Sequence, residues 1–252
     1  MVTSHPIRRG VACPGCPHRA AYVACREALG RGRARVICGD AGCAAVGSMH
    51  PAACTCVGGE EALLDRYKVP VPQGGTPQEP SCEACIHFVP DAALARDDES
   101  AELAGLSAEG RVTILAVLAS SRAFLTREAI EGLAERALAL GCGDAVIVDP
   151  FDSQRAAGVL CGALARPGVH AVVFASPCAQ IQRGEYEAEP AEIDAYACMS
   201  CHRCQQITGC PAISFEPPVF RIDADACAGC DLCVECCLSL IHISEPTRLG
   251  MI

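Results

Sequence analysis

Lysine is almost missing from this chain. Lys68 is the only one in 252 residues, and the other basic side chains, out of 20 in all, are arginines. Acidic residues number 30, which leaves a formal charge of −10 and a pI near 5.1. A chain so poor in positive charge is unsuited to a phosphate backbone, so nucleic acid is not an expected partner. Long apolar runs are missing too. The longest, residues 112–119 with Thr113 inside it, falls far short of the roughly 20 residues that span a bilayer. No apolar stretch precedes Cys13, so a secretory leader is not expected. No Ser/His/Asp or Cys/His arrangement stands out for nucleophilic catalysis.

Cysteine is present in excess, with 21 in the chain, or one residue in twelve. Such density means disulfides, metal or iron–sulfur clusters. Without a leader the expected location is the reducing cytoplasm, with no membrane association. There, clustered thiolates serve mainly as metal ligands. An apolar fraction of 51% and a mean hydropathy of +0.26 allow a packed core alongside them.

Two parts are expected. Residues 11–178 alternate helical and strand-like segments. A helix over 17–29 opens on Pro17 and is followed by Gly30. A short strand at 35–38 runs into a turn at 39–42. Strands at 112–118, 145–149 and 170–175 alternate with helices from Thr126 to Leu140 and from Ser153 to Leu164. That order predicts an α/β fold around a parallel sheet with right-handed crossovers. Residues 57–110 contain Pro70, Pro72, Pro77 and Pro80 with adjacent glycines, and read as irregular and mobile. Residues 179–197 read as an acidic linker. A small module at 198–237 is built around cysteine. Residues 238–252 depart abruptly in composition and resemble the translated read-through of a sequencing adapter. They are set aside from the fold expectation, and the natural C-terminus is expected to be missing.

The module carries Cys198-x2-Cys201-x2-Cys204-x5-Cys210-Pro211, then Cys227-x2-Cys230-x2-Cys233-x3-Cys237. Two such runs are the signature of a two-cluster bacterial ferredoxin. Cysteines at i, i+3 and i+6 let one loop wrap three corners of a cubane, and the fourth of each run reaches the other cluster. One [4Fe–4S] cluster is therefore assigned to Cys198, Cys201, Cys204 and Cys237. The other is assigned to Cys227, Cys230, Cys233 and Cys210. Paired zinc sites are the alternative, but a third cysteine at the same interval has no use there. The first run has a longer final spacing than usual, and Leu238 stands where proline is common. Cys236 is surplus.

Further upstream lie Cys13-Pro-Gly-Cys16-Pro-His18-Arg19, Gly39-Asp40-Ala-Gly-Cys43, Cys54-Thr-Cys56-Val-Gly58-Gly59, Val148-Asp149-Pro-Phe-Asp152 and Ser176-Pro-Cys178. In this order, and followed by the cysteine module, they resemble the thiamine-diphosphate domain of the indolepyruvate ferredoxin oxidoreductase alpha subunit. The resemblance covers most of residues 11–237, is weak over 57–110, and lacks the family's earlier domains.

It implies oxidative decarboxylation of an aryl 2-oxoacid, with electrons leaving through clusters to ferredoxin or another redox partner, and a second oxidoreductase subunit. It also implies thiamine diphosphate and Mg²⁺, with Gly39, Asp40, Gly58 and Gly59 as the residues nearest such a site. Hard Mg²⁺ needs oxygen ligands, yet the family's Asp-Asn dipeptide is replaced by Ser120-Ser121, and Glu60-Glu61 follow Gly58-Gly59. The cofactor site thus reads as deleted. A stand-alone, non-catalytic electron carrier is accordingly the second reading.

Cys13, Cys16 and Cys43, with Cys178 as fourth ligand, resemble the proximal-cluster arrangement of related 2-oxoacid oxidoreductases and imply a third cluster. Cys54, Cys56, Cys82 and Cys85 could hold a cluster or a zinc, or be two unrelated pairs of buried or free thiols. Cys25, Cys142 and Cys161 are expected in the core as small apolar residues. His18 is expected to be solvated or capping, with a cofactor-facing role as the alternative. Asp40 and Asp149, at strand ends, suit either ligand binding or turn capping.

Overall fold

The computed structural model describes residues 12–30, 35–39, 84–96, 114–182 and 189–239. Five strands form one parallel sheet: β1 (Arg35–Gly39), β2 (Ala84–Pro90), β3 (Ile114–Ala119), β4 (Ala145–Val148) and β5 (His170–Ala175), in the order β1-β2-β3-β5-β4. The helices among them are α1 (Pro17–Leu29), α2 (Asp91–Leu94), α3 (Arg127–Ala139), α4 (Ser153–Leu164) and α5 (Ala179–Gln182). The expected α/β class is what the chain adopts.

Side-chain alternation along β3 divides the core into two layers. Ile114, Ala116 and Leu118 face α1 and α4, together with Phe88, Val172 and Phe174. Leu115, Val117 and Ala119 face the opposite way and pack on Leu94 of α2 and on Ile130, Leu133 and Ala137 of α3. Both faces are covered, so β3 reads as a continuous apolar run, as does β5 after His170, with every residue of both buried. The strand order explains which helix lies where. Passage from β2 to β3 and from β3 past β5 to β4 runs one way across the sheet, and β4 to β5 runs back. Right-handed crossovers then place α2 and α3 on one face and α4 on the other.

Local signals agree with these elements. Pro17 opens α1 and Gly30 closes it at φ 63°. The Thr126 hydroxyl accepts from the Ala129 N–H at the start of α3, and Asp152 does the same for Arg155 at α4. The irregular reading of 57–110 is corrected over 84–96. There β2 lies inside the sheet, paired on both sides, because its apolar residues gain burial between β1 and β3 that outweighs the flanking breakers. The linker reading of 179–197 is likewise corrected at 179–182, where α5 forms. Cys25 and Cys142 are buried as expected, but Cys161 is exposed on α4. It follows Leu160 by one residue, about 100° around the helix from the buried line of Ala156, Leu160 and Ala163.

The cysteine-rich part holds α6 (Arg203–Thr208), an antiparallel ribbon of β6 (Ile213–Glu216) and β7 (Val219–Ile222), and α7 (Leu232–Glu235). It packs on the face of α1 that turns away from the sheet, where Ala20 and Val23 meet Leu232, with Phe151, Ile207 and Cys230 beside them. Double-sided packing explains why α1 is buried from Pro17 through Cys25. Among the described residues no helix is long and apolar enough to cross a membrane.

Candidate functional site

The two cysteine runs adopt the same backbone twice. In each, the residue before the second cysteine is left-handed (Ser200 at φ 50°, Gly229 at φ 57°), and so is the residue after it (His202 at φ 62°, Asp231 at φ 58°). A short helix follows at once, α6 or α7, carrying the third cysteine. Left-handed conformation costs a non-glycine residue on the order of 1 kcal/mol, and it recurs at Ser200, His202 and Asp231. Alternation between right- and left-handed residues turns successive N–H groups inward into a concavity that favours negative charge. One of those groups is seen in place: the Gly229 N–H donates to Cys227 Sγ at 3.4 Å.

Tertiary packing gathers the thiols into two neighbourhoods. Burial pushes the Cys204 thiol above its ordinary value, and the nearby thiols of Cys237, Cys201 and Cys198 push the same way. Burial also raises Cys233, reinforced by Cys230, Cys210 and Cys227. Cys204 adds to the effect on Cys233, so the two neighbourhoods adjoin. Cys210, Cys227, Cys230 and Cys233 line a single cavity, with Cys16 and Arg19 on its wall. No disulfide joins Cys13, Cys16, Cys178 or the cysteines of the module. Among the described residues no three such side chains stand as they would around one metal ion, so these are neighbourhoods rather than closed ligand spheres. Cys236 lies at the margin of the first one. Burial beside Glu235 pushes it up to about 12.

The loop Cys13–Cys16 reaches into the same region. The Cys16 N–H donates to the Cys13 carbonyl at 3.2 Å. Gly15 sits at φ +70°, where a Cβ would stand 2.5 Å from the Cβ of Ala228, between Cys227 and Cys230. Such an approach requires glycine. The same Cβ would lie 3.3 Å from Ala179, next to Cys178. Cys13, Cys16 and the backbone beside Cys178 are therefore brought near one another, while Cys43 lies outside the described residues. Of the other candidate quartet, Cys54, Cys56 and Cys82 lie outside them, and Cys85 falls on β2.

Arg19 was not assigned a role from sequence. It is 2% exposed and spans the two parts of the molecule. One amino group donates to the Thr208 and Gly209 carbonyls, each at 2.7 Å, and the other to the carbonyls of Ala12 and Cys13. Burial pulls its guanidinium below the ordinary value, against the thiols of Cys210, Cys16, Cys230 and Cys13, which pull it back up. Arginine nonetheless keeps its charge in proteins.

No family model matches the chain. Curated relatives do. It is 25% identical over 251 residues to the indolepyruvate oxidoreductase subunit IorA of Methanothermobacter marburgensis, covering 92% of this chain and 39% of that protein. It is 24% identical over 263 residues to IorA of Archaeoglobus fulgidus, covering 94% and 40%. The resemblance is to IorA. A shorter stretch of 110 residues is 32% identical to IorA of Pyrococcus horikoshii, covering 41% of this chain and 17% of that one. The chain spans about two fifths of the length of the IorA subunits that it matches over most of its own length.

At the C-terminal ends of the strands, where open α/β sheets carry their binding groups, a hydrogen-bonded knot is found. Asp91, buried at the end of β2, accepts from the N–H groups of Ala92, Ser120 and Ser121 and from the Ser121 hydroxyl, at 2.7 to 3.0 Å. Ser120 Oγ lies 2.7 Å from His18 Nε2, in a buried contact. His18 is thus neither solvated nor a cap, a correction that follows from α1 being covered on both sides. Gly39 ends β1, whereas Asp40, Gly58 and Gly59 lie outside the described residues. Asp149 accepts from the Phe151 N–H at 2.9 Å, a turn-capping contact. The sequence already held a signal for Asp91, an acid just past Ile86-His-Phe-Val-Pro90, masked by the proline-rich text before it.

Proposed function

We propose that this chain is an iron–sulfur electron-transfer polypeptide that works as part of an indolepyruvate-type 2-oxoacid oxidoreductase, passing electrons through two [4Fe–4S] clusters. The observation that carries the reading is the pairing of two cysteine neighbourhoods on twice-repeated loops, with Cys210, Cys227, Cys230 and Cys233 facing one cavity. The names of its IorA relatives supply the reaction class.

In this reading Cys198, Cys201, Cys204 and Cys237 hold one cluster, and Cys210, Cys227, Cys230 and Cys233 the other. Bound there, a cubane supplies one-electron storage. The inward N–H groups of the left-handed turns stabilise its sulfurs. Ile213, Ile222 and Leu232 keep water from the second quartet, and burial and N–H···S bonds set its potential. The α/β body presents the module, in the cytoplasm, to a second subunit and to ferredoxin or a similar acceptor. Cys13, Cys16, Cys43 and Cys178 are the proposed ligands of a third cluster. Cys54, Cys56, Cys82 and Cys85 are a further quartet for a cluster or zinc.

A stand-alone carrier that has lost thiamine diphosphate is the second reading. The knot of His18, Ser120 and Asp91 favours it, because those groups bond to each other at the strand ends.

Iron and acid-labile sulfide analysis of the anaerobically reconstituted chain tests the first reading. Eight irons and eight sulfides per chain are the minimum for two cubanes, and a colourless zinc protein would overturn it. Titration with thiamine diphosphate and Mg²⁺ then separates the two functions. Saturable binding with 2-oxoacid-dependent bleaching supports the oxidoreductase, and no binding supports the carrier.

A further inference from the structure

Arg19 is the one cation buried between the loop of Cys13–Cys16 and the quartet of Cys210, Cys227, Cys230 and Cys233 among the described residues. Its fork is fastened to the Thr208 and Gly209 carbonyls, directly before Cys210, and to the Ala12 and Cys13 carbonyls on the other side. Beside the burial that disfavours its charge, the thiols of Cys210, Cys16, Cys230 and Cys13 favour it. The other quartet differs. Arg203 donates to the Cys236 carbonyl at 3.3 Å but is exposed, so water and salt screen it.

We propose that Arg19 raises the reduction potential of the cluster held by Cys210, Cys227, Cys230 and Cys233 above that of the cluster held by Cys198, Cys201, Cys204 and Cys237, so that electrons rest on the α/β side of the module. This rests on the two-cluster reading above. Reduction adds one electron, and one negative charge, to a thiolate-ligated site. A fixed cation in a dry environment favours the more negative state far more than it would in water. The backbone bonds hold the guanidinium in place, so its charge cannot swing away when the electron leaves.

The test is a mediated redox titration of the full reconstituted chain, followed by electron paramagnetic resonance, with the electrode supplying the electron. Arg19→Gln keeps hydrogen-bonding groups and removes the charge; Arg19→Lys keeps the charge and removes the fork. The expected result is that Arg19→Gln retains wild-type iron and sulfide but lowers one couple by about tenfold in its equilibrium, ~59 mV for one electron. The couple of the cluster assigned to Cys198, Cys201, Cys204 and Cys237 stays put, a third cluster on the Cys13–Cys16 loop would fall with the first, and Arg19→Lys stays near wild type.

Unchanged couples in Arg19→Gln, equal movement of both, or an equal shift in Arg19→Lys would each overturn the proposal and leave the two-cluster reading standing. A wild-type chain that takes up no iron and sulfide would instead remove that reading itself. Should Arg19→Gln fail to load, Cys227→Ala decides. The couple that survives in it must be the lower of the two wild-type couples, and survival of the higher one overturns the proposal.

Discussion

The α/β body and the cysteine module solve the same folding problem with different means. The body buries two full layers of apolar side chains on either side of a five-stranded sheet. The module is built on one small cluster, Cys204, Ile213, Phe220 and Cys233 with Ala191 from the segment before it, in which two of the five residues are proposed ligands. Units of some 40 residues rarely bury enough surface to fold without a metal, a disulfide or a partner. The module has no disulfide among its described cysteines, and it carries left-handed residues at Ser200, His202 and Asp231 that cost energy. The body is therefore stable through packing, whereas the module leans on its contact with α1 and, in the proposed two-cluster reading, on the clusters its thiols would hold.

Removal of iron should break this comparison most completely. Chelation under reducing conditions is expected to abolish amide protection across 198–237, while β3 and β5 keep theirs. Hydrogen exchange followed by mass spectrometry reads both at once, and protection persisting in the module would show that it folds by packing. Phe174→Ala attacks the other side. Phe174 is buried against α1 and α4, and its truncation should cost roughly 3–5 kcal/mol in a urea titration, with iron per folded chain unchanged.

Gly15→Ala strikes the seam. Its methyl would meet the Ala228 Cβ at 2.5 Å from a left-handed backbone, so a cost of roughly 1–3 kcal/mol is expected. That cost should appear as faster exchange around Cys227 and Cys230 with little change in the sheet. The smallest effect lies at the far end of the body. Burial disfavours the charged Asp144 carboxylate, yet hydrogen bonds from Arg166 at 2.5 Å and His170 at 2.6 Å hold it below the usual carboxylate range. A lowered carboxyl adds stability above its unfolded value and loses it as pH falls through its folded one. With Asp144 partly exposed, the loss on acidification should be on the order of 0.5 kcal/mol. Thermal melts between pH 6 and pH 3 would show it as a difference from Asp144→Asn.

Legibility in the sequence followed the range of the forces involved. α1 from Pro17 to Gly30, α4 from Ser153, and β5 are written in caps, breakers and unbroken apolar runs, which act within a few residues. The proposed division of the module's cysteines into quartets rests on the same short range, since equal spacing along a wrapped loop is itself local geometry. β2 was not legible, because prolines and glycines in the preceding text hid an apolar run that only its neighbours could recruit. Cys161 could not be told from Cys25 by composition, since each sits in a helix and only the turn of that helix against the sheet separates them.

The sequence by itself determined the α/β class and the helices with clear boundary residues. Tertiary structure alone decided that His18 and Arg19 are buried, that Asp91 ties the strand ends together, and that the Cys13–Cys16 loop meets the loop of Cys227–Cys230 through Gly15. The reason is physical. Caps and periodicity act between neighbours in the chain, whereas burying a cation or a carboxylate becomes affordable only when distant segments supply its partners, and Arg19 finds its own 189 and 190 residues away.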